Sequence, residues 1–233
     1  LRVKRQTENV NVHAKGAGGA LRRFRVRGYT VRGVSLDRAR MHSVKHEHLS
    51  EADYLAQEDR AQVRHEYVDG QVYAMSGASI RHNRILINLV SAWRAASDCR
   101  VTTMDVKLRT RRAFYYPDAM LTCAPESDPM FESEPCLIAE VLSPTTEAID
   151  RGAKLRAYQQ IASLQAYVLV SQEERLVEIY RRAGALWTYE AISDERSIAL
   201  PCVTGALSLD EVFAGIVFDP PAVREPEAGY EVR

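Results

Sequence analysis

Residues 135–142 (Pro-Cys-Leu-Ile-Ala-Glu-Val-Leu) form an apolar run that holds one carboxylate, Glu140. Runs of this kind are typical of a β-strand that is covered on both faces. A Ser-Pro pair ends the run, and a helix that begins at Thr145 or Thr146 is predicted to follow it. The next apolar run, residues 166–170, predicts a strand that is parallel to the first if the helix between them is a crossover. The chain is therefore constrained to a fold in which helices cover a sheet.

Other segments predict further strands and helices around this unit. Asp69–Gly70, flanked by alternating apolar residues, is the strongest short signal of a β-hairpin. Helices are predicted at about residues 51–58, 80–97 and 208–214, and strands at about residues 100–110, 114–123, 176–180 and 186–192. No linker divides the middle of the chain. We therefore expect one α/β domain over residues 48–218, with a mixed β-sheet flanked by helices.

The two ends of the chain differ from this middle part in composition. In residues 1–40, basic side chains far outnumber Glu8 and Asp37, several glycines interrupt the segment, and no helical or strand period is evident. We expect a disordered basic extension there, and an arm that grips DNA is the alternative. Residues 219–233 are rich in Pro, Glu and Gly and predict a disordered tail.

Hydropathy and charge limit the compartment and the partners. No apolar run reaches the roughly 18 residues that a membrane helix needs, and the N-terminus lacks the apolar core of a secretory signal. We therefore expect a cytoplasmic protein with no membrane partner. The chain has 31 basic and 31 acidic side chains, and this balance neither supports nor excludes binding to DNA.

The chain contains four cysteines, at positions 99, 123, 136 and 202. No two of them have the spacing of a zinc knuckle or of a redox-active pair. Cys123 and Cys136 lie in apolar, strand-like runs. We interpret the cysteines as buried thiols rather than as disulfides or nucleophiles.

Two carboxylates lie in apolar surroundings and are the main candidates for chemistry. Glu140 is in the run described above, and Asp118 follows Pro117 in a second strand-like segment. A lone ionised carboxylate in an apolar environment costs several kcal/mol unless a cation neutralises it. That cation is either a metal ion such as Mg²⁺, which binds one or two carboxylates and keeps several waters, or the Arg or Lys of a buried salt bridge.

The helix predicted after Glu140 carries Asp150, Lys154 and Tyr158 at four-residue intervals, so these side chains share one face. Asp150 and Lys154 could form an ordinary helical ion pair. Alternatively, a lysine near a metal ion could stabilise an attacking hydroxide or the charge that develops on a phosphate. The position of the helix directly after the strand of Glu140 favours the second interpretation.

Several motifs, in this order, resemble the Uma-two family of restriction endonuclease-like proteins, which belongs to the PD-(D/E)XK nuclease superfamily: Pro117–Asp118, Glu140–Val–Leu–Ser–Pro–Thr–Thr146, Asp150, Lys154 and Tyr158. The resemblance extends from about Ser50 to Ile216. It implies a nuclease fold with a mixed sheet and DNA as the substrate. It also implies that Asp118 and Glu140 hold Mg²⁺ or Mn²⁺, with the backbone carbonyl of Val141 as a further ligand.

One position departs from the pattern of the superfamily. Leu142 stands where the third motif residue should be lysine. The resemblance implies that this lysine has moved to the following helix, onto Lys154. A long side chain that reaches back from that helix could place its ammonium group in similar space.

Five further residues are assigned roles with alternatives. Glu66 resembles an auxiliary catalytic acid, and a cross-strand ion pair is the alternative. Lys107 and Arg109 are candidate phosphate contacts, or else solvated strand charges. His82 is either a neutral, hydrogen-bonded histidine or a contact to DNA or water. Tyr158 is a candidate substrate contact, although packing is the simpler interpretation.

Three functions follow from these assignments. The leading hypothesis is an endonuclease in which Asp118 and Glu140 hold the metal ion and Lys154 stabilises the transition state. The alternatives are an inactive nuclease-like module that binds DNA, and a structural or interaction protein whose acids pair internally. A homodimer is expected if the protein cuts both strands, since that usually needs two active sites.

Overall fold

The computed structural model describes residues 48–75 and 77–218 in full and, nearer the N-terminus, the backbone of residues 10–14 and 22–26. The two N-terminal segments are the antiparallel strands β1 (Val10–Ala14) and β2 (Arg22–Val26). The sequence shows no strand period in these two segments, and the disordered extension expected over residues 1–40 stays a prediction. The rest of the predicted extension and the predicted tail lie outside the described residues.

The remaining elements form two sheets with helices around them. In chain order they are α1 (Glu51–Glu58), β3 (His65–Val68), β4 (Gln71–Ala74), α2 (Ile80–Ala95), β5 (Arg100–Thr103), β6 (Lys107–Arg109), β7 (Ala113–Tyr115), β8 (Ala119–Thr122), β9 (Phe131–Glu132), β10 (Leu137–Val141), α3 (Glu147–Ile149), α4 (Leu155–Tyr158), β11 (Ala166–Val170), β12 (Val177–Ala183), β13 (Leu186–Ile192) and α5 (Leu209–Val212). Ser50, Ser79 and Ser208 cap α1, α2 and α5 through their side chains. In the described part of the chain, no helix is both long enough and apolar enough to cross a bilayer.

The larger sheet contains six strands in the order β13-β12-β11-β10-β8-β5. Strands β10 and β11 are parallel, with Leu137 opposite Ala166, and their other neighbours are antiparallel. Every residue of β10 and β11 is buried. The predicted covered strand, crossover and mixed sheet are thereby confirmed.

The smaller sheet contains five strands in the order β4-β3-β7-β6-β9 and includes the predicted hairpin. Asp69 and Gly70 connect β3 to β4 with φ angles of 49° and 86°, the left-handed backbone that a two-residue hairpin turn requires. The predicted strands at 100–110 and 114–123 are each broken in two, and their halves belong to different sheets. A turn after Thr103 breaks the first, and Pro117, which has no N–H to donate, lies in the break of the second.

The two faces of the larger sheet are covered by different cores. Side chains from alternate positions of its strands pack with the buried face of α2, which includes Ile85, Leu89 and Trp93. The opposite face packs against Tyr158 of α4. Because side chains alternate along a strand, Glu140 lies on the same face as Ile138, the face covered by α4.

The helix after β10 differs from the single α-helix that the sequence predicts. A π-helical turn, Asp150–Lys154, joins α3 to α4, and both Asp150 and Lys154 are buried. Neither threonine proposed as the cap accepts a capping hydrogen bond at the start of α3, whereas Ser143 Oγ accepts one from the Thr146 N–H at 3.3 Å. Single π-helical turns of this kind often occur at functional sites.

The cysteines also differ from the prediction of free thiols. Cys99 is bonded to Cys123, and Cys136 is bonded to Cys202. The antiparallel pairing of β5 with β8 places Arg100 opposite Thr122. The next residues outward, Cys99 and Cys123, are therefore also neighbours. Sequence spacing could not reveal this proximity, because it depends on the register of the sheet.

Candidate active site

A cleft of about 500 Å³ opens beside the end of β10 and is lined by four carboxylates, one lysine and one histidine. These residues are Glu66, His82, Asp118, Glu140, Asp150 and Lys154. They come from β3, α2, the start of β8, β10 and the π-helical turn. The structure thus brings together side chains that are separated by up to 88 residues (154 − 66) in the sequence.

Asp118 and Glu140 are locked together by the pairing of β8 with β10. The Val141 N–H donates to Asp118 Oδ2 at 2.7 Å, and the Asp118 N–H donates to Glu140 Oε2 at 3.1 Å. Each carboxylate therefore accepts a backbone hydrogen bond from the other residue's strand. Backbone groups thus help to hold both carboxylates in place.

Lys154 reaches from the π-helical turn into the group of acids. Its Nζ lies 3.1 Å from Glu140 Oε1, 3.2 Å from Glu66 Oε1 and 3.2 Å from Asp150 Oδ1. The structure therefore places this ammonium group beside Glu140. The site role assigned to Lys154 remains a prediction.

His82 and Tyr158 each contact one of the two central carboxylates. His82 Nε2 lies 3.0 Å from Asp118 Oδ2, on the first turn of α2 after its cap Ser79. The Tyr158 hydroxyl donates to Glu140 Oε1 at 3.0 Å, and its ring is fully buried between Tyr115 and Tyr167. Tyr158 therefore lies behind Glu140 and not in the cleft, which fits positioning of the carboxylate better than contact with a substrate.

Lys107 and Arg109 are not brought to this cleft. Lys107 is buried, burial lowers the pKa of its ammonium group, and it lies over the ring of Tyr116 at 5.8 Å. Arg109 pairs with Glu51 at 3.1 Å and lines a separate cleft. Both are thus used for packing or pairing, and only Arg109 retains an exposed surface for a phosphate.

In the sequence, Asp150 was a member of the family motif and a possible ion-pair partner of Lys154, with no site role assigned, and the structure makes it the fourth carboxylate of the cleft. The four-residue spacing between Asp150 and Lys154 was the sequence signal that could have placed Asp150 beside the lysine in the site. Gln172 was missed altogether: its amide oxygen accepts a hydrogen bond from the Ser79 hydroxyl at 2.8 Å, and it lines the same cleft. No local pattern marks this glutamine, because the contact joins residues 93 positions apart.

The charges in the cleft are not balanced by protein groups. Among the described residues, four carboxylates face one ammonium group, which leaves three negative charges, or two if His82 is protonated. Burial, and the negative charges of Asp118, Asp150 and Glu66, raise the pKa of Glu140 well above its ordinary value, and Lys154 only partly offsets this effect. Burial lowers the pKa of Lys154, but Glu140, Glu66 and Asp150 together raise it further, so this side chain stays charged.

This donor set fits a hard divalent cation. Carboxylate oxygens are the ligands that Mg²⁺ prefers in proteins, and an excess of buried negative charge is what such an ion would neutralise. Oδ2 of Asp118 accepts from Val141 and faces His82, whereas no described residue donates to Oδ1, which leaves that oxygen for another partner. The residues that could hold the ion are Asp118 and Glu140.

The raised pKa of Glu140 predicts how stability depends on pH. Above 4.5, the ordinary pKa of this carboxyl, the metal-free folded protein binds more protons than the unfolded chain. The free energy of unfolding should therefore fall as pH rises from 4.5 through the raised pKa, by about 1.4 kcal/mol for each unit of the shift. Urea denaturation with a chelator, at a series of pH values, measures this slope. Glu140→Gln should flatten it, and parallel profiles for the two proteins would contradict the assignment.

Comparison with known proteins agrees with the fold and with the motifs. The family model "Uma2: Putative restriction endonuclease" matches residues 51–211. The Synechocystis sp. (strain ATCC 27184 / PCC 6803 / Kazusa) protein slr1290 is 35% identical over 73% of this chain and 94% of its own length. A second protein of that strain, sll1609, is 30% identical over 58% of this chain and 82% of its own length.

A solved structure shares the fold. It comes from Anabaena variabilis ATCC 29413, is described as "a putative nuclease belonging to DUF820", and superposes with a TM-score of 0.56 at 17% identity, over 67% of this chain and 93% of that one. The predicted restriction-endonuclease-like fold is thereby confirmed. Because the family model covers more than half of the chain and slr1290 is 35% identical, the chain belongs to the Uma2 family.

Proposed function

We propose that the protein is an endonuclease that hydrolyses DNA phosphodiester bonds with the help of Mg²⁺ or Mn²⁺. One observation carries the proposal: four carboxylates that line one cleft face a single lysine. Such an arrangement is costly unless a cation joins it. The family description and the description of the Anabaena variabilis protein both name nucleases, and they supply the expectation that the substrate is DNA.

Asp118 and Glu140 would hold the metal ion, with the backbone carbonyl of Val141 as a further ligand. A bound divalent cation polarises a phosphoryl oxygen and lowers the pKa of a coordinated water. The protein contributes rigidity. Val141 N–H and His82 fix Asp118, whereas Tyr158, Lys154 and the Asp118 N–H fix Glu140.

Lys154 would stabilise the negative charge that develops on the phosphate during hydrolysis. Its ammonium group is suited to this task because three nearby carboxylates hold it in one place and outweigh the effect of burial on its pKa, so it stays charged. Glu66 would orient Lys154, and it also accepts a hydrogen bond from the Tyr116 N–H at 3.3 Å. The proposal includes a cytoplasmic location and, for cleavage of both strands, a homodimer.

Internal pairing of the acids explains the site less well. Lys154 and His82 do contact Glu140 and Asp118, as a structural role would require. However, one ammonium group and one imidazole cannot neutralise four carboxylates. The structural alternative therefore leaves more carboxylates than cationic groups in the cleft.

The test combines metal binding with cleavage of supercoiled plasmid. We expect calorimetry to detect Mn²⁺ or Mg²⁺ uptake by the folded protein, and nicking that requires the metal and stops with a chelator. Asp118→Asn should lower the metal affinity and the nicking rate by more than about 100-fold. Loss of a residue that only hydrogen-bonds to a metal ligand already costs up to about 100-fold, and Asp118 is proposed as a ligand. Asp105→Asn is the matched control, because Asp105 is an exposed acid whose ion-pair partner among the described residues is Arg64.

The possible results separate the three functions. No metal uptake, with or without an oligonucleotide, would contradict the proposal. Metal-independent, salt-dependent DNA binding without cleavage would support the inactive module instead. Equal nicking by Asp118→Asn and Asp105→Asn would remove the cleft from the mechanism.

A further inference from the structure

The four cysteines converge at the end of the larger sheet that lies opposite the cleft. Cys99 precedes β5, Cys123 follows β8, Cys136 precedes β10, and Cys202 lies in the loop before α5. The Sγ atoms of Cys123, Cys136 and Cys202 lie within 4.8 Å of one another, and Cys99 is bonded to Cys123. The two disulfide bonds are therefore adjacent, with three sulfur atoms in one cluster and the fourth, that of Cys99, bonded to its edge at Cys123.

This cluster is separate from the acidic cleft. Asp118 directly precedes β8 and Cys123 directly follows it. The acidic cleft and the cysteine cluster are therefore about five residues, or roughly 16 Å, apart along this strand. Strand β10 repeats the arrangement, with Cys136 before its first residue and Glu140 near its last. A ligand of the cysteines would therefore not be a ligand of Asp118 or Glu140.

We propose that the four cysteines, when reduced, form a structural Zn²⁺ site. Zinc in structural sites is bound tetrahedrally by four Cys or His ligands, with Zn–S distances of about 2.3 Å. Thiolates are soft ligands that favour zinc over the hard cations preferred by carboxylates. The sulfur cluster supplies a complete set of four such ligands from four separate segments, so the metal would hold these segments together.

The loop of Cys202 is held in place by contacts that do not involve sulfur. The Ser97 hydroxyl donates to the Cys202 carbonyl at 2.7 Å and accepts from the Cys99 N–H at 3.2 Å. The Thr204 hydroxyl and N–H both donate to the Ala96 carbonyl at 2.7 Å. These hydrogen bonds would keep Cys99 and Cys202 beside each other after the disulfide bonds have been reduced.

The backbone of Cys202 gives a second indication of a built site. Its φ angle is 64°, a left-handed conformation that residues other than glycine rarely adopt. Such conformations persist where the surroundings over-determine them, and they are concentrated at functional sites. Here the conformation belongs to the residue whose sulfur joins those of Cys123 and Cys136.

The disulfide and zinc states are related by a balanced reaction. Two molecules of a phosphine reduce the two bridges and become phosphine oxide with oxygen from two waters, or two molecules of a dithiol reduce them and become cyclic disulfides. Either route supplies four electrons, and the four sulfurs take up four protons. Zn²⁺ then displaces those four protons as four Zn–S bonds form. Zinc affinity should therefore increase with pH.

The full-length protein can be tested after reduction with a phosphine, which is not itself a thiol ligand. After addition of zinc and removal of the excess, we expect elemental analysis to find one zinc per chain. Cobalt in place of zinc should give the absorption bands of tetrahedral cobalt with thiolate ligands. Cys202→Ser should lose the thiolate bands and the tightly bound zinc, whereas Glu140→Gln should retain both.

A second cysteine variant guards against loss of folding. Cys202 and Cys123 are exposed, whereas Cys136 is buried. Cys123→Ser is therefore the better second variant, because it disturbs the core less than a change at Cys136. Circular dichroism should confirm that Cys202→Ser and Cys123→Ser are both folded. A fully reduced, folded protein that takes up no zinc would overturn the proposal. Cobalt bound without thiolate bands would overturn it as well, and so would equal zinc content in Cys202→Ser and the unaltered protein.

Discussion

Glu140→Gln is expected to lower the rate of metal-dependent DNA cleavage by more than about 100-fold while the protein remains folded. Loss of a partner that only orients a ligand already reduces metal affinity or activity by 10- to 100-fold, and Glu140 is proposed as a ligand. Glutamine keeps the size of the side chain and removes one of four negative charges. At neutral pH, the free energy of unfolding of the metal-free protein should therefore fall by less than the about 3–5 kcal/mol that removal of one partner from a buried ion pair usually costs.

Plasmid nicking at saturating Mg²⁺ measures the first effect, and urea denaturation in a chelator measures the second. Glu195→Gln is the matched control, because Glu195 is an exposed glutamate with one long contact to Arg175, at 3.8 Å. We expect the control to cut DNA at the rate of the unaltered protein. Cleavage by Glu140→Gln at that same rate would exclude Glu140 from catalysis.

Of the substitutions proposed for the cleft, Lys154→Met should cause the largest loss in the free energy of unfolding of the metal-free protein. Removal of one partner from a buried ion pair costs about 3–5 kcal/mol, because the remaining charge has no partner. Here Glu66, Glu140 and Asp150 all lose the same ammonium group. Divalent cations should restore part of the loss, since a bound metal ion also neutralises these carboxylates.

Cleavage by Lys154→Met should fall by about 10²–10³-fold even at saturating metal, as for loss of one group that stabilises transition-state charge. Arg156→Met is the control for stability, because Arg156 is an exposed cation on α4, and such changes usually lie within about 0.5 kcal/mol. Denaturation curves with a chelator and with Mg²⁺ provide the comparison. Equal stabilities of the two variants in the chelator would show that Lys154 does not balance the acids.

The sequence was sufficient for the central strands and for the pair of acids. Leu137–Val141 and Ala166–Val170 are buried throughout, and a strand covered on both faces must be apolar at every position. Within such strands an ionisable residue stands out, which is why Glu140 could be selected from a single chain. Lys154 could be associated with Glu140 because the helix that carries it follows the strand directly.

Contacts between distant segments could not be predicted in the same way. The split of residues 100–123 between two sheets depends on which strands pair, and that choice is made by tertiary packing. Lys107 and Arg109 look like surface cations in the sequence, but the smaller sheet directs one of them into the interior and pairs the other with Glu51. Their predicted contact with phosphate depended on orientation, which local sequence does not encode.

The amino-acid sequence by itself determined the covered parallel strands, the hairpin at Asp69–Gly70 and the two carboxylates that apolar strands would otherwise not tolerate, because each follows from hydrophobic pattern or backbone preference over a few residues. Only the tertiary structure decided that Glu66, His82 and Asp150 join those carboxylates and that four distant cysteines meet at the other end of the same strands. The physical reason is that strand register and the π-helical turn, rather than chain spacing, set which side chains lie within bonding distance.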